Sequence, residues 1–148
     1  MEINGLHIDS RNVKPADCFI AVKGTKTNGN EFIVSAIEKG ATAIVCEDFP
    51  SMINDAVTYV QVDNAAEAAG YMSHNFYGEP SFKLKLVGVT GTNGKTTIAT
   101  LLWKLFTALG YKCGLISTVQ NQIGSTIIEA THTTPDAVNL NALLKQMA

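Results

Sequence analysis

Short apolar runs alternate with stretches whose apolar residues recur at helical spacing through the first half of the chain. Cys18-Phe19-Ile20-Ala21-Val22 is an uninterrupted apolar run and predicts a buried strand. From Glu31 to Lys39, Phe32, Ala36 and Ile37 fall at helical spacing, and Gly40 follows as a residue suited to end a helix. Ala43-Ile44-Val45-Cys46 and Tyr59-Val60-Gln61-Val62 predict a second and a third strand. Asp63 or Asn64 can cap a helix that starts at Ala65 and carries Ala68, Ala69, Met72 and Phe76. Gly78-Glu79-Pro80-Ser81 then interrupts the pattern.

The second half opens on Leu84-Lys85-Leu86-Val87-Gly88-Val89, which predicts another strand. A glycine-containing bend leads into a long amphipathic helix from Lys95 to Leu109, with Leu101, Leu102, Leu105 and Leu109 on one face and Gly110 after it. Cys113 to Ser117 predicts the next parallel strand, Thr118 to Glu129 a hairpin turning at Gly124-Ser125, and Pro135-Asp136 the start of a last helix reaching Ala148. Strands alternating with helices predict an α/β layer architecture. The expected division is a small α/β domain over 1–84, followed over 85–148 by the first part of a doubly wound parallel sheet. That second part holds one βαβ unit, fewer strands than such a sheet needs to cover its faces. A chain interrupted in mid-domain is the expectation.

Composition narrows this picture. Of 148 residues, 46% are hydrophobic and 16% charged, which predicts a packed core and argues against disorder. The net charge of −2 offers no general positive field for nucleic acid or anionic membrane, so any phosphate site must be local. No apolar run is long enough to span a membrane, and the start lacks a secretory pattern. Cys18, Cys46 and Cys113 lie in apolar stretches without a CxxC pair, as reduced thiols of a cytoplasmic protein would. His7, His74 and His132 show no metal-ligand spacing.

The strongest chemical signal is Gly91-Thr92-Asn93-Gly94-Lys95-Thr96-Thr97, between the apolar run and the long helix. That context is what a phosphate-binding P-loop requires. Gly91 and Gly94 let the backbone turn several N–H groups toward one point, and the helix start adds its own free N–H groups. Lys95, the candidate catalytic residue, can reach the terminal phosphates, and the Thr96 hydroxyl is placed to ligate Mg²⁺. The common pattern has glycine where Val89 stands; Gly88 and Gly91 lie on either side of it, so the loop is a variant. The competing reading is a strand–turn–helix corner whose glycines serve only the turn. A P-loop alone leaves a GTPase, kinase, motor or ligase open.

Thr90-Gly91-Thr92-Asn93-Gly94-Lys95-Thr96-Thr97 resembles the ATP loop of the Mur ligases and of the related folylpolyglutamate synthetases. Three further stretches narrow the resemblance to the MurE type. Ile8-Asp9-Ser10-Arg11, ahead of Phe19-Ile20-Ala21, is similar to a segment in which serine contacts the uracil of a UDP-sugar; this implies Ser10, with Ile8 beside it. Read alone, it is a polar turn with Asp9 and Arg11 paired on the surface. Gly24-Thr25-Lys26-Thr27-Asn28-Gly29 resembles a loop lying against uridine and its diphosphate, which implies Thr25, Lys26 and Thr27 as donors. The bland alternative is a solvated loop. Thr131-His132-Thr133-Thr134-Pro135 resembles a segment whose paired hydroxyls, here Thr133 and Thr134, meet the muramoyl peptide; otherwise it is only a helix cap.

The resemblance implies a monomeric ATP-dependent ligase using Mg²⁺. It would add meso-diaminopimelate or L-lysine to UDP-N-acetylmuramoyl-L-alanyl-D-glutamate through an acyl phosphate. Because the resemblance covers only the front of such an enzyme, the chain alone is expected to have no ligase activity. The alternatives are a MurF-type ligase, a folylpolyglutamate synthetase-like ligase and a non-catalytic nucleotide-sugar-binding module. A GTPase would need guanine-recognition and switch motifs that these residues lack.

Overall fold

The computed structural model describes residues 2–24, 27–129 and 135–148. It divides into two compact units, Met1–Phe76 and Tyr77–Ala148.

The first unit is built on a four-stranded parallel sheet. Its strands are β1 (Leu6–His7), β2 (Cys18–Ile20), β3 (Ala43–Cys46) and β4 (Thr58–Gln61), paired in that order. In register, Leu6 faces Cys18, Cys18 faces Ala43 and Ala43 faces Thr58. Every residue of β2 and β3 is buried, which is why both read as unbroken apolar runs. Phe19, Ala21, Ile44 and Cys46 pack with Val13, Ile33, Ala36 and Ala41, and Ile37, Val57 and Tyr59 close over them.

Helix α1 (Ile33–Glu38) is shorter than the sequence predicts, because a 3₁₀ turn over Gly29–Phe32 takes the place of its first part. The Asn28 side chain caps that turn by accepting from Asn30 N–H. Gly40 ends α1 at φ +101, with Ala41 N–H on Ala36 O and Gly40 N–H on Ile37 O. This paired closure requires the left-handed backbone that glycine adopts without strain. Helix α2 (Ala65–Phe76) buries Ala65, Ala69 and Ser73, one small residue per turn. Asn64 is its cap, accepting from Glu67 N–H at 3.0 Å. Strand β1 and the 3₁₀ turn at Ser10–Asn12 escape a reading by periodicity, being too short to show one.

The second unit contains α3 (Lys95–Ala108), β5 (Gly114–Ile116), β6 (Gln120–Ile123), β7 (Thr126–Glu129) and α4 (Ala137–Met147). The hairpin turns at Gly124-Ser125 as predicted, and Asp136 caps α4 by accepting from Val138 and Asn139 N–H, both at 2.9 Å. Two expectations are corrected. Leu84–Val89 forms no strand, and Leu86 and Val87 are 58% and 71% exposed. Strand β5 is not parallel to it but antiparallel to β6. The physical reason is pairing: a strand exists only where a neighbour accepts its ladder, and β5 gives its hydrogen bonds to β6. The predicted apolar face of α3 is correspondingly open, with Leu101, Leu105 and Leu109 all more than half exposed and no residue of the helix buried.

Candidate functional site

The bend before α3 has the geometry that its glycines foretell. Gly91 lies at φ +147 and Gly94 at φ +77, and Gly94 is the residue from which α3 starts. Among the described residues no side chain caps the helix, and its first internal bond runs from Ile98 N–H to Gly94 O at 2.9 Å. The first-turn amides are thus left for another acceptor. The Lys95 ammonium turns back over the bend and donates to Gly91 O at 2.5 Å and Thr92 O at 3.4 Å. Thr92, Asn93, Gly94 and Thr97 are exposed and Thr96 is half-buried. The bend therefore gathers free amides, a helix start and one ammonium at an open surface, a combination suited to a polyphosphate. The Thr96 hydroxyl supplies one neutral oxygen at the same point. A single protein oxygen, completed by phosphate and water, fits Mg²⁺.

Thr96 Oγ1 also lies 3.3 Å from Thr118 Oγ1, on the turn between β5 and β6. That neighbour is absent from the sequence reading. Thr118 is 22 residues away, and only the return of β5 beside α3 brings it near.

In the first unit the candidate residues follow strand ends. Because the strands are parallel, their carboxyl ends share one edge of the sheet, where ligands of such sheets bind. Ile8 and Ser10 follow β1, and Thr27 belongs to the loop after β2. Ser10 is buried in its 3₁₀ turn. Asp9 caps the turn by accepting from Arg11 N–H at 2.9 Å, and its carboxylate holds the Arg11 guanidinium at 2.7 to 3.1 Å. That hydrogen-bonded guanidinium keeps the Asp9 carboxyl below its ordinary value. The surface pair expected from the bland reading is thus present, and the buried serine sits beside it. Lys39, just past α1, donates to Ser10 O at 3.1 Å and ties the turn to the helix end. Thr27 is exposed, its carbonyl accepting from Gly24 N–H at 2.9 Å. Thr25, Lys26, Thr133 and Thr134 lie outside the described residues.

The same edge carries an open depression of about 460 Å³ lined by Lys23, Glu47, Asp48, Gln61, Val62 and Asp63. Lys23 Nζ bridges Glu47 at 2.9 Å and Asp48 at 3.0 Å. Its hydrogen bond to Glu47 raises the lysine and lowers the carboxyl from their usual values. Sequence reasoning missed this cluster, because Lys23 meets Glu47 and Asp48 through the β2–β3 register that sets Ile20 beside Val45, and Gln61 joins through the β3–β4 register.

Residues 2–77 match the family model described as Mur ligase family, catalytic domain, and residues 89–148 match the Mur ligase middle domain. The chain is 55% identical over 148 residues to the UDP-N-acetylmuramoyl-L-alanyl-D-glutamate–2,6-diaminopimelate ligase of Bacteroides fragilis. It is 53% identical over 147 residues to the ligase of the same name from Phocaeicola vulgatus. It covers 100% and 99% of its own length in these matches but 30% of each relative. A solved ligase of that name superposes on the whole chain with a TM-score of 0.78 at 28% identity, the chain again spanning 30% of it. A MurF ligase from Thermotoga maritima, solved with ADP, matches 70% of the chain and 23% of its own at a TM-score of 0.54 and 28% identity.

Proposed function

The chain belongs to the Mur ligase family, and from that premise we propose that it is the substrate- and nucleotide-binding front of an ATP-dependent ligase. The ligase adds a diamino acid to UDP-N-acetylmuramoyl-L-alanyl-D-glutamate. In this reading residues 1–84 hold the UDP-sugar and 85–148 begin the ATP-binding domain. The names of the relatives favour 2,6-diaminopimelate over lysine as the amino acid. The observation that carries the reading is the uncapped start of α3, with two glycines at positive φ before it and the Lys95 ammonium turned over them.

The reaction joins a carboxylate and an amine at the cost of ATP. The γ-phosphoryl group passes to the D-glutamate carboxylate, and ADP leaves. The amine of the incoming amino acid attacks the acyl phosphate, phosphate departs and a peptide bond remains. The first step brings two anions together. Gly91 to Thr97 donate backbone N–H groups to the phosphates, and Lys95 exchanges the Gly91 and Thr92 carbonyls for phosphate oxygen as charge moves. Thr96 would hold Mg²⁺, which would supply positive charge against the phosphates. Ser10, Ile8 and the Thr25-Lys26-Thr27 loop fix the uridine diphosphate end, and Thr133 and Thr134 meet the muramoyl peptide. We place the protein in the cytoplasm as a monomer. Among the described residues no helix is long and apolar enough to cross a membrane.

Calorimetry separates this reading from its rivals. The chain is titrated with UDP-N-acetylmuramoyl-L-alanyl-D-glutamate, UDP, ATP and GTP in turn. The muramoyl ligand is expected to bind more tightly than free UDP, and ATP more tightly than GTP. A preference for GTP would point to another P-loop class, and binding of UDP-sugars without ATP would leave only a nucleotide-sugar module.

A further inference from the structure

We propose that Thr118 is a positioning residue for the metal at the phosphate loop, the acceptor that turns the Thr96 hydroxyl so that its lone pair faces Mg²⁺. The inference rests on the P-loop reading of Gly91 to Thr97. Thr96 Oγ1 and Thr118 Oγ1 stand 3.3 Å apart, and either can donate. A hydroxyl has one hydrogen and two lone pairs. When Thr96 gives a lone pair to a cation, its hydrogen must point away from that cation and needs an acceptor. Among the described residues Thr118 Oγ1 is the hydroxyl within reach, so metal binding fixes the direction of the bond from Thr96 to Thr118. The hydrogen of Thr118 is then left for water.

Thr118 is held for this role. Ser117 Oγ donates to Gln120 O at 2.7 Å and accepts from Gln120 N–H at 3.2 Å and Val119 N–H at 3.4 Å. These bonds pin the turn leaving β5 on both sides of Thr118. A partner that orients a metal ligand commonly governs metal affinity although it never touches the ion.

The test reads metal dependence, not turnover. ATP affinity is measured by fluorescence titration of the 148-residue chain in EDTA and in saturating Mg²⁺. The parent is compared with Thr118→Val, Thr118→Ser and Thr96→Val. The parent is expected to gain affinity from Mg²⁺. Thr118→Val should lose about tenfold or more of that gain while its affinity in EDTA is unchanged. Thr118→Ser, which keeps the hydroxyl, should recover it. A full Mg²⁺ gain in Thr118→Val, with Thr96→Val losing its own, overturns the role of Thr118 and leaves the loop reading intact. An equal loss in EDTA and Mg²⁺ overturns it in favour of a merely structural part. Absence of any Mg²⁺ gain in the parent overturns the loop reading, and this inference with it.

Discussion

Gly40 and Cys18 show how single residues set the stability of the first unit. Gly40 sits at φ +101, and a Cβ built on it would lie 2.9 Å from Pro15 Cα. Gly40→Ala therefore forces left-handed backbone on an L-residue and crowds Pro15. The expected cost is about 1–2 kcal/mol from the backbone alone, read as a lower urea midpoint; an unchanged midpoint would contradict the closure described for α1. The Cys18 thiol is pushed from 9.0 up to about 11 by burial, with the Asp17 charge adding to it. The unfolded thiol loses its proton first, so between pH 9 and 11 the unfolded state binds fewer protons than the native one. Stability contributed by the neutral thiol is complete below that window and falls as pH rises through it. Urea midpoints on either side of the window should drop for the parent and drop less for Cys18→Ala. The buried Cys46, raised for the same reason, gives a slope of the same sign that persists in the variant.

At the scale of elements, local signals and partner-dependent ones part company. Helices α3 and α4 and the β6–β7 hairpin stand where their glycines, caps and periodicity put them, because Gly94, Gly110, Gly124 and Asp136 act on their own neighbours. Strands β2 and β3 are legible because full burial leaves unbroken apolar runs. The bend from Gly91 to Lys95 is legible for the same local reason. Leu84–Val89 reads as a strand by composition, yet a strand also needs a neighbour, and the sequence of the segment does not carry one. Thr118, Lys39 and the Lys23 cluster were illegible because each meets its partner across 22 to 29 residues. Hydrogen exchange tests the distinction. Amides of Phe19, Ile20, Ile44 and Val45 should be strongly protected and those of Leu86 to Val89 nearly unprotected. Equal protection in the two groups would mean that the segment pairs after all.

For the whole molecule, the division of labour follows the distribution of buried surface. The first unit encloses most of the buried apolar side chains around its parallel sheet, whereas the second buries Pro80, Leu115, Val138 and Leu144 among the described residues. Substrate recognition is thus proposed on a packed scaffold, and phosphate binding on a bend whose geometry is local. The chain spans about 30% of the length of the relatives it matches, and ligation stays a proposal for the whole protein. The part proposed for this chain is binding. The direct measurement is an amide NMR titration of the ¹⁵N-labelled chain with Mg²⁺-ATP. The predicted result is shifts concentrated at Gly91, Thr92, Asn93, Gly94, Lys95, Thr96 and Thr97, and their loss in Lys95→Ala. Shifts that bypass these amides, or that survive unchanged without the lysine, would contradict the account.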